Sequence, residues 1–105
     1  MSAQDSDRRR APRAPLLREV EIDRNGKVSN GRVVDLSVTG AFIETGEEFR
    51  HNDDCRLSLT LPGGKQLNVD SIVCYIHSGL GIGVEFRNLT AEEQSAIEDC
   101  VAKLK

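Results

Sequence analysis

The sequence predicts an all-β fold: a six-stranded antiparallel β-barrel with a C-terminal α-helix and a flexible N-terminal tail. Three observations predict it. Short stretches of alternating apolar residues recur at nearly regular spacing, turn signals separate them, and one helix-capping sequence lies near the C-terminus. The 105 residues have room for one domain. We divide the chain into a tail (residues 1–15) and a barrel with its helix (residues 16–105).

The alternation of apolar and polar residues begins at Leu16, and Asn25-Gly26 then supplies a hairpin signal. The later predicted strands share the same alternation and cover residues 31–36, 40–44, 55–61, 67–76 and 80–86. Within the fifth strand the apolar phase changes, which predicts a β-bulge near Asp70-Ser71. Glycines alternate with apolar residues in the last strand, so one of its faces allows close approach by another backbone or a ligand.

The sequence Thr90-Ala91-Glu92-Glu93 predicts the start of a helix, because it has the pattern of a capping box. In such a box the side chains of Thr90 and Glu93 each bind the other residue's backbone amide. Apolar residues follow on one stripe at Ile97, Val101 and Leu104, so we expect the helix to continue to about Lys103.

The charge distribution argues against two classes of function. Four of the 14 basic residues lie within residues 8–13, and without them the chain has 10 basic against 17 acidic side chains. The rest of the chain is therefore too acidic to support general binding to a nucleic acid polymer, which usually needs a basic face. The sequence has no run of about 20 apolar residues and no apolar signal region behind the arginines. We therefore expect a cytoplasmic protein without membrane insertion.

Catalytic and metal-binding chemistry has little support in the sequence. Cys55, Cys74 and Cys100 are odd in number and lack C-x-x-C spacing, so we interpret them as buried or neutral thiols in a reducing compartment. His51 and His77 lie in turn-like stretches without spacing to a metal partner, and we interpret both as surface histidines. No phosphate-binding glycine loop opens onto a helix. We expect a protein that is not an enzyme and needs no cofactor or metal.

The segment Arg8-Arg9-Arg10-Ala11-Pro12-Arg13 places four arginines within six residues. A charge run of this kind is often only a solvated tail. Its functional interpretation is an anion clamp, because the guanidinium fork matches phosphate oxygens and the O6/N7 edge of guanine. Arg9 and Arg13 are four residues apart and can hold separate groups of one ligand.

The turn Asp35-Leu36-Ser37-Val38-Thr39-Gly40 fits two interpretations equally well. In the structural one, Asp35 and Ser37 satisfy backbone amides and Gly40 supplies a positive φ. In the functional one, the Asp35 carboxylate accepts the N1–H and N2–H₂ donors of guanine, Ser37 adds a donor and Gly40 leaves room. A ligand with phosphates and guanines would satisfy the arginine segment and the turn together.

With both motifs in this order, the sequence resembles the PilZ domain family, receptors for the bacterial second messenger cyclic di-GMP. The family's R-x-x-x-R motif matches residues 9–13, and its D/N-x-S-x-x-G motif matches residues 35–40. The strand that ends Gly83-Val84-Glu85-Phe86 is also similar to the family's last barrel strand, so the resemblance spans residues 8–104.

The resemblance implies roles for particular residues. Arg9 and Arg13 would bind phosphates and guanine, and the barrel face that holds a guanine would be lined by Asp35, Ser37 and Gly40. Arg8 directly precedes the motif, at a position implicated in whether one cyclic di-GMP or a stacked pair binds, and a further cation there favours the pair. Tyr75 or His77 can stack on a base, although a core or surface role is the simpler interpretation of each.

The predicted function is a non-enzymatic cyclic di-GMP receptor whose tail becomes ordered on binding. Because we find no catalytic or DNA-binding domain in the sequence, the signal would pass to a downstream protein partner. One alternative is an adaptor protein of the same fold that does not bind the nucleotide. Another is a small single-stranded nucleic-acid-binding barrel with a basic arm, which the scarcity of aromatic residues disfavours.

Overall fold

The structure is a computed structural model that describes residues 13–104. In this part of the chain six strands form a closed antiparallel barrel in the order β1-β2-β3-β6-β5-β4, and one helix follows them. The elements are β1 (Ala14–Arg24), β2 (Lys27–Leu36), β3 (Gly40–Glu44), β4 (Asp54–Thr60), β5 (Gln66–His77), β6 (Gly81–Arg87) and α1 (Ala91–Leu104). The predicted barrel and C-terminal helix are confirmed.

Strand β1 begins at Ala14, before the predicted start at Leu16. Ala14 pairs with Leu36 and Pro15 with Asp35, so the two residues assigned to the tail belong to the barrel. The boundary was placed too late because Pro15 interrupts the strand signal, whereas proline is tolerated where a strand begins. The rest of the predicted tail, residues 1–12 with Arg8 and Arg9, lies outside the described residues.

The core of the barrel is mainly aliphatic, as the alternation predicted. Its most deeply buried side chains, at most 1% exposed, include Ile22, Val33, Leu36, Ile43, Leu57, Leu67, Val73 and Ile97. Aromatic residues contribute less, since Phe49 is buried, Phe42 and Phe86 are partly buried, and Tyr75 is exposed. Two of these rings, Phe42 and Tyr75, are therefore available on the outside of the barrel.

Helix α1 begins with the predicted capping box. The backbone N–H of Thr90 donates to Glu93 Oε1, and the backbone N–H of Glu93 donates to Thr90 Oγ1, each at 3.0 Å. The helix packs against β1 and contributes Ile97, Cys100 and Val101 to the core. The helix thus covers apolar surface of the barrel beside β1.

The bulge in β5 lies at Cys74, and the prediction of a bulge near Asp70-Ser71 was wrong. Pairing with β4 is regular through Asp70 and Ser71, and the register against β6 shifts between Val73 and Tyr75. Ser71 and Val73 face inward, although Ser71 is polar. Hydrophobic alternation cannot identify an inward serine, so the apolar phase was assigned to the wrong residues.

Candidate ligand-binding site

The arginine motif and the turn motif meet in the structure. Arg13 directly precedes β1 and Asp35 lies near the end of β2, and the pairing of Pro15 with Asp35 brings them together. Nη1 of Arg13 donates to Oδ1 of Asp35, in an ion pair whose side chains are 47% and 36% exposed. An exposed pair contributes only about 0–1 kcal/mol to stability. A ligand can therefore rearrange this pair at small cost.

Ser37 is fully buried, and its hydroxyl is used within the turn. Its Oγ accepts hydrogen bonds from the backbone N–H of Thr39 at 3.3 Å and of Gly40 at 3.2 Å. The same Oγ lies 3.3 Å from the carbonyl oxygen of Gly40, to which the backbone N–H of Ser37 also donates at 2.8 Å. The geometry supports the structural interpretation of Ser37, and a direct contact with a ligand stays a prediction.

Gly40 is needed for close packing between β3 and β6. A Cβ atom at this position would lie 2.1 Å from the carbonyl oxygen of Val84. The positive φ suggested for Gly40 was wrong, since the described glycines with positive φ are Gly26, Gly63, Gly64 and Gly79. The turn therefore depends on glycine because the neighbouring backbone is close, which sequence alone does not reveal.

We expect Gly40→Ala to lower the free energy of unfolding by about 3 kcal/mol or more, because neither backbone can move away without breaking the ladder. Urea denaturation measures this change. Gly46→Ala is the matched control, because a Cβ there has no atom within 4 Å. Equal midpoints for the two variants would contradict the packing role of Gly40.

Ser37→Ala should lower the free energy of unfolding by about 1–3 kcal/mol, because it leaves buried amides of the turn without their acceptor. The matched control is Ser58→Ala, because the hydroxyl of Ser58 donates to Asn68 Oδ1 on the exposed face of the barrel. We expect the control to change stability by less than about 0.5 kcal/mol. Thermal denaturation of both variants decides whether Ser37 holds the turn.

A row of residues crosses the outside of the barrel beside the ion pair. Cross-strand pairing connects Pro15 to Asp35, Asp35 to Phe42, Phe42 to Gly83, and Gly83 to Tyr75. Neighbouring strands in such a row are about 4.8 Å apart. The motif residues and an aromatic surface therefore form one continuous face.

Three rings cluster on this face. The Phe42 and Tyr75 rings are stacked, with centroids 6.1 Å apart and an angle of 23° between their planes. His77 lies edge-on to Phe42 at 6.2 Å. Tyr75 and His77 were identified from the sequence as residues that can stack on a base, whereas Phe42 was not. Phe42 could have been found from its position between Ala41 and Ile43, which both face the core. A residue between two inward-facing residues of a strand faces outward, and an outward position is unusual for phenylalanine.

The Tyr75 phenol lies near the Arg13–Asp35 pair. Partial burial raises its pKa, the Arg13 guanidinium lowers it, and the Asp35 carboxylate raises it. The ring extends along the row toward the two motif residues, because it covers Gly83 and stacks on Phe42, the cross-strand neighbour of Asp35.

A second charged groove, at the opposite end of the barrel, is held together by its own contacts. Arg24 donates to Oδ2 of Asp53 at 3.1 Å and to the carbonyl oxygen of Glu48 at 2.7 Å, and its guanidinium lies 4.4 Å from the centre of the Phe49 ring. The backbone amide of Arg50, aided by Arg24, holds the pKa of Asp53 below its usual value. These groups stabilise the loop before β4 and do not form a candidate site.

The three cysteines are free thiols, with Cys55 and Cys100 buried and Cys74 exposed. Burial is the main cause that raises the pKa of each, to about 11 for Cys55, so the thiols stay protonated at neutral pH. Within residues 13–104 no cluster of three or more His, Cys, Asp or Glu side chains is placed to hold a metal ion. No helix in that range has the length and apolar character required to cross a bilayer.

The sequence was compared with models of known protein families. The family model for the PilZ domain matches residues 7–103, which include both motifs. The chain belongs to the PilZ domain family. A comparison with curated proteins found no match.

Solved PilZ domains have the same fold at low sequence identity. The PilZ domain of YcgR from Escherichia coli, solved with c-di-GMP, has a TM-score of 0.76 at 16% identity and covers 92% of this chain and 91% of that one. The PilZ domain of CeSA from a cellulose-synthesizing bacterium has a TM-score of 0.67 at 19% identity, covering 88% and 96%.

The motility inhibitor MotI/DgrA of Bacillus subtilis is also similar in structure. It has a TM-score of 0.77 at 18% identity and covers 89% of this chain. The chain spans only about half of MotI/DgrA, 49% of its length.

Proposed function

We propose that this PilZ domain is a non-enzymatic receptor for cyclic di-GMP. The observation that carries the proposal is the contact between Arg13 and Asp35, which belong to different motifs and lie 22 residues apart. Arg13 supplies donors for phosphate or for the O6/N7 edge of guanine, and Asp35 supplies acceptors for the opposite edge of guanine. The solved YcgR domain with c-di-GMP supports the choice of ligand.

The arginines outside the described residues complete the proposed site. Arg9 would bind phosphate or guanine together with Arg13, while Arg8 would favour a stacked pair of ligands over a single one. The barrel supplies Asp35 on its outer face, on the turn that Ser37 and Gly40 hold in place. Direct ligand contacts by Ser37 and Gly40 are part of the same proposal.

We propose that the signal passes to a downstream protein when residues 1–12 become ordered around the ligand. Ordering about six residues costs on the order of 6–12 kcal/mol in backbone entropy. Hydrogen bonds to charged groups each return about 1.5–3 kcal/mol, so two or three bidentate arginine contacts offset this cost. Hydrogen–deuterium exchange should show protection of this segment when cyclic di-GMP is added. Unchanged exchange at saturating ligand would contradict this mode of signalling.

Calorimetry with cyclic di-GMP tests the receptor function and gives the stoichiometry in the same experiment. Cyclic di-AMP and a short single-stranded oligonucleotide serve as controls for guanine and for nucleic acid binding. We expect two cyclic di-GMP molecules per chain, much weaker binding of cyclic di-AMP and no binding of the oligonucleotide. Absence of binding to all three would overturn the proposal and leave the adaptor function, whereas preference for the oligonucleotide would indicate a nucleic-acid-binding barrel.

A further inference from the structure

Strand β5 has an open edge at its C-terminal end. Strand β4 pairs with β5 only as far as Ile72. The loop before β4 then hydrogen-bonds to both backbone groups of Val73, through Asn52 and Asp53. Beyond this point residues 75–77 pair with β6 on one side, and within residues 13–104 no strand pairs with residues 74–77 on the other. An open strand edge presents backbone N–H and C=O groups that can pair with another strand.

The hairpin formed by β5 and β6 exposes apolar side chains without any charge. Residues 71–84 contain no Asp, Glu, Lys or Arg, although these residues make up 30% of the chain. Three large hydrophobic residues of the hairpin are exposed, namely Tyr75, Ile76 and Leu80. Ile76 is 45% exposed although its cross-strand partner Ile82 is buried, because the open edge leaves it uncovered. Surfaces that lack charge and contain a tyrosine are typical of the centre of a protein interface.

The backbone groups of Ile76 point to the open edge. In an antiparallel sheet, successive residues direct their hydrogen-bonding groups to opposite neighbours. The carbonyl oxygen of His77 accepts a hydrogen bond from the backbone N–H of Leu80 at 2.9 Å, within the turn to β6. The groups of His77 are therefore directed to β6, and those of Ile76 are directed away from it. Ile76 can thus pair with a further strand through both its N–H and its C=O.

We propose that this edge binds the same edge of a second copy of the chain, in an antiparallel pair centred on Ile76. In this register the two Ile76 residues exchange both backbone hydrogen bonds, and their side chains contact each other. Tyr75 of each copy lies opposite His77 of the other, so two aromatic cross-strand pairs form. The pair has two-fold symmetry, which is the commonest symmetry of protein dimers. This contact does not involve the ligand and goes beyond the proposed function.

Charge favours a second copy as the occupant of the edge. Without the four clustered arginines the chain has 10 basic against 17 acidic side chains, so most surfaces of two copies repel each other. In a two-fold contact the side chains near the axis meet their own copies, and like charges opposite each other destabilise a sheet. The edge at residues 74–77 avoids this repulsion because it has no charged residue. A charged segment of another protein would find no complementary charge there.

The contact is short, so we expect a weak dimer. A few residues from each copy bury less than the area of a stable interface, which is about 1,200 Å² or more. Sedimentation of the full chain should therefore give the mass of one chain at about 10 μM and approach that of two chains at about 1 mM. The mass of one chain at every concentration would overturn the inference and leave the edge to a different protein or to residues 1–12.

Ile76→Lys places two like charges opposite each other at the centre of the pair, so it should keep the chain monomeric at about 1 mM. Val28→Lys is the matched control, because Val28 is also a β-branched residue, is 57% exposed and lies on β2 at the opposite side of the barrel. We expect the control to dimerise like the wild type, and circular dichroism shows whether both variants fold. Dimerisation of folded Ile76→Lys as strong as that of the wild type would contradict the proposed edge.

Disulfide trapping tests the register and still decides if Ile76→Lys is unable to fold. The Cα atoms of a hydrogen-bonded antiparallel pair are about 5.5 Å apart, which a disulfide can span. Ile76→Cys, in a chain that also carries Cys74→Ser, should therefore form a covalent dimer with oxidised glutathione, seen by non-reducing electrophoresis. Val28→Cys in the same background should not, and Cys55 and Cys100 are buried. A dimer in sedimentation that Ile76→Cys fails to trap would place the contact elsewhere and overturn the inference.

Discussion

Replacing Arg13 by alanine is expected to lower the affinity for cyclic di-GMP about a hundredfold or more while the barrel remains folded. A bidentate contact from a guanidinium provides two hydrogen bonds to charged groups, each worth about 1.5–3 kcal/mol. Among residues 13–104 the fold loses the exposed pair with Asp35, which contributes about 0–1 kcal/mol. We expect Arg9→Ala to have a similar effect on affinity, measured by calorimetry.

The chain offers a matched control for Arg13. Arg56 also forms an ion pair with an aspartate on the outside of the barrel, with a distance of 2.5 Å to Asp70 and side chains 54% and 49% exposed. Arg56→Ala removes the same charge and a similar pair away from the motifs, so it should leave the affinity unchanged. Arg13→Lys should recover little, because an ammonium group lacks the planar fork. Unchanged affinity in both Arg9→Ala and Arg13→Ala would contradict the clamp.

Much of the fold could be predicted because its signals are local. Asn25 and Gly26 have φ angles of 56° and 88°, as a two-residue hairpin requires, and the capping box at Thr90 depends only on neighbouring residues. The phase of β5 could not be predicted in the same way. Ser71 faces inward because β4 and β6 fix the register on both sides, and those partners are distant in sequence.

The candidate site was predicted in part, for the same reason. The two motifs identified Arg13 and Asp35, but their direct contact depends on how β1 pairs with β2. Of the aromatic face, Tyr75 and His77 were identified but Phe42 was not, since the rings come from β3 and β5 and meet only across Gly83 of β6. Gly40 was identified as important for the wrong physical reason, because a close backbone contact is visible only in three dimensions.

Asp35→Ala is expected to weaken cyclic di-GMP binding about a hundredfold, because two guanine donors, N1–H and N2–H₂, lose their charged acceptor. The ion pair with Arg13 does not prevent this role. Arg13 contacts Oδ1, and a carboxylate has about four acceptor positions, so Asp35 can hold Arg13 and a guanine edge together. In that arrangement Asp35 also orients the guanidinium toward the ligand.

Selectivity is the decisive measurement for Asp35. Adenine presents an acceptor at N1 where guanine presents a donor, so the carboxylate disfavours cyclic di-AMP and its removal should not weaken that ligand. The ratio of the two affinities should therefore fall about a hundredfold in Asp35→Ala and less in Asp35→Asn, which keeps one acceptor oxygen.

Asp70→Ala is the matched control for Asp35, since it removes an aspartate that is paired with an arginine on the same outer surface. We expect this variant to keep the wild-type ratio of affinities. If Asp35→Ala weakened both dinucleotides equally, Asp35 would act only by orienting Arg13, and the selection of guanine would have to come from the arginines. A ratio that fell in both aspartate variants would instead point to a general effect of charge.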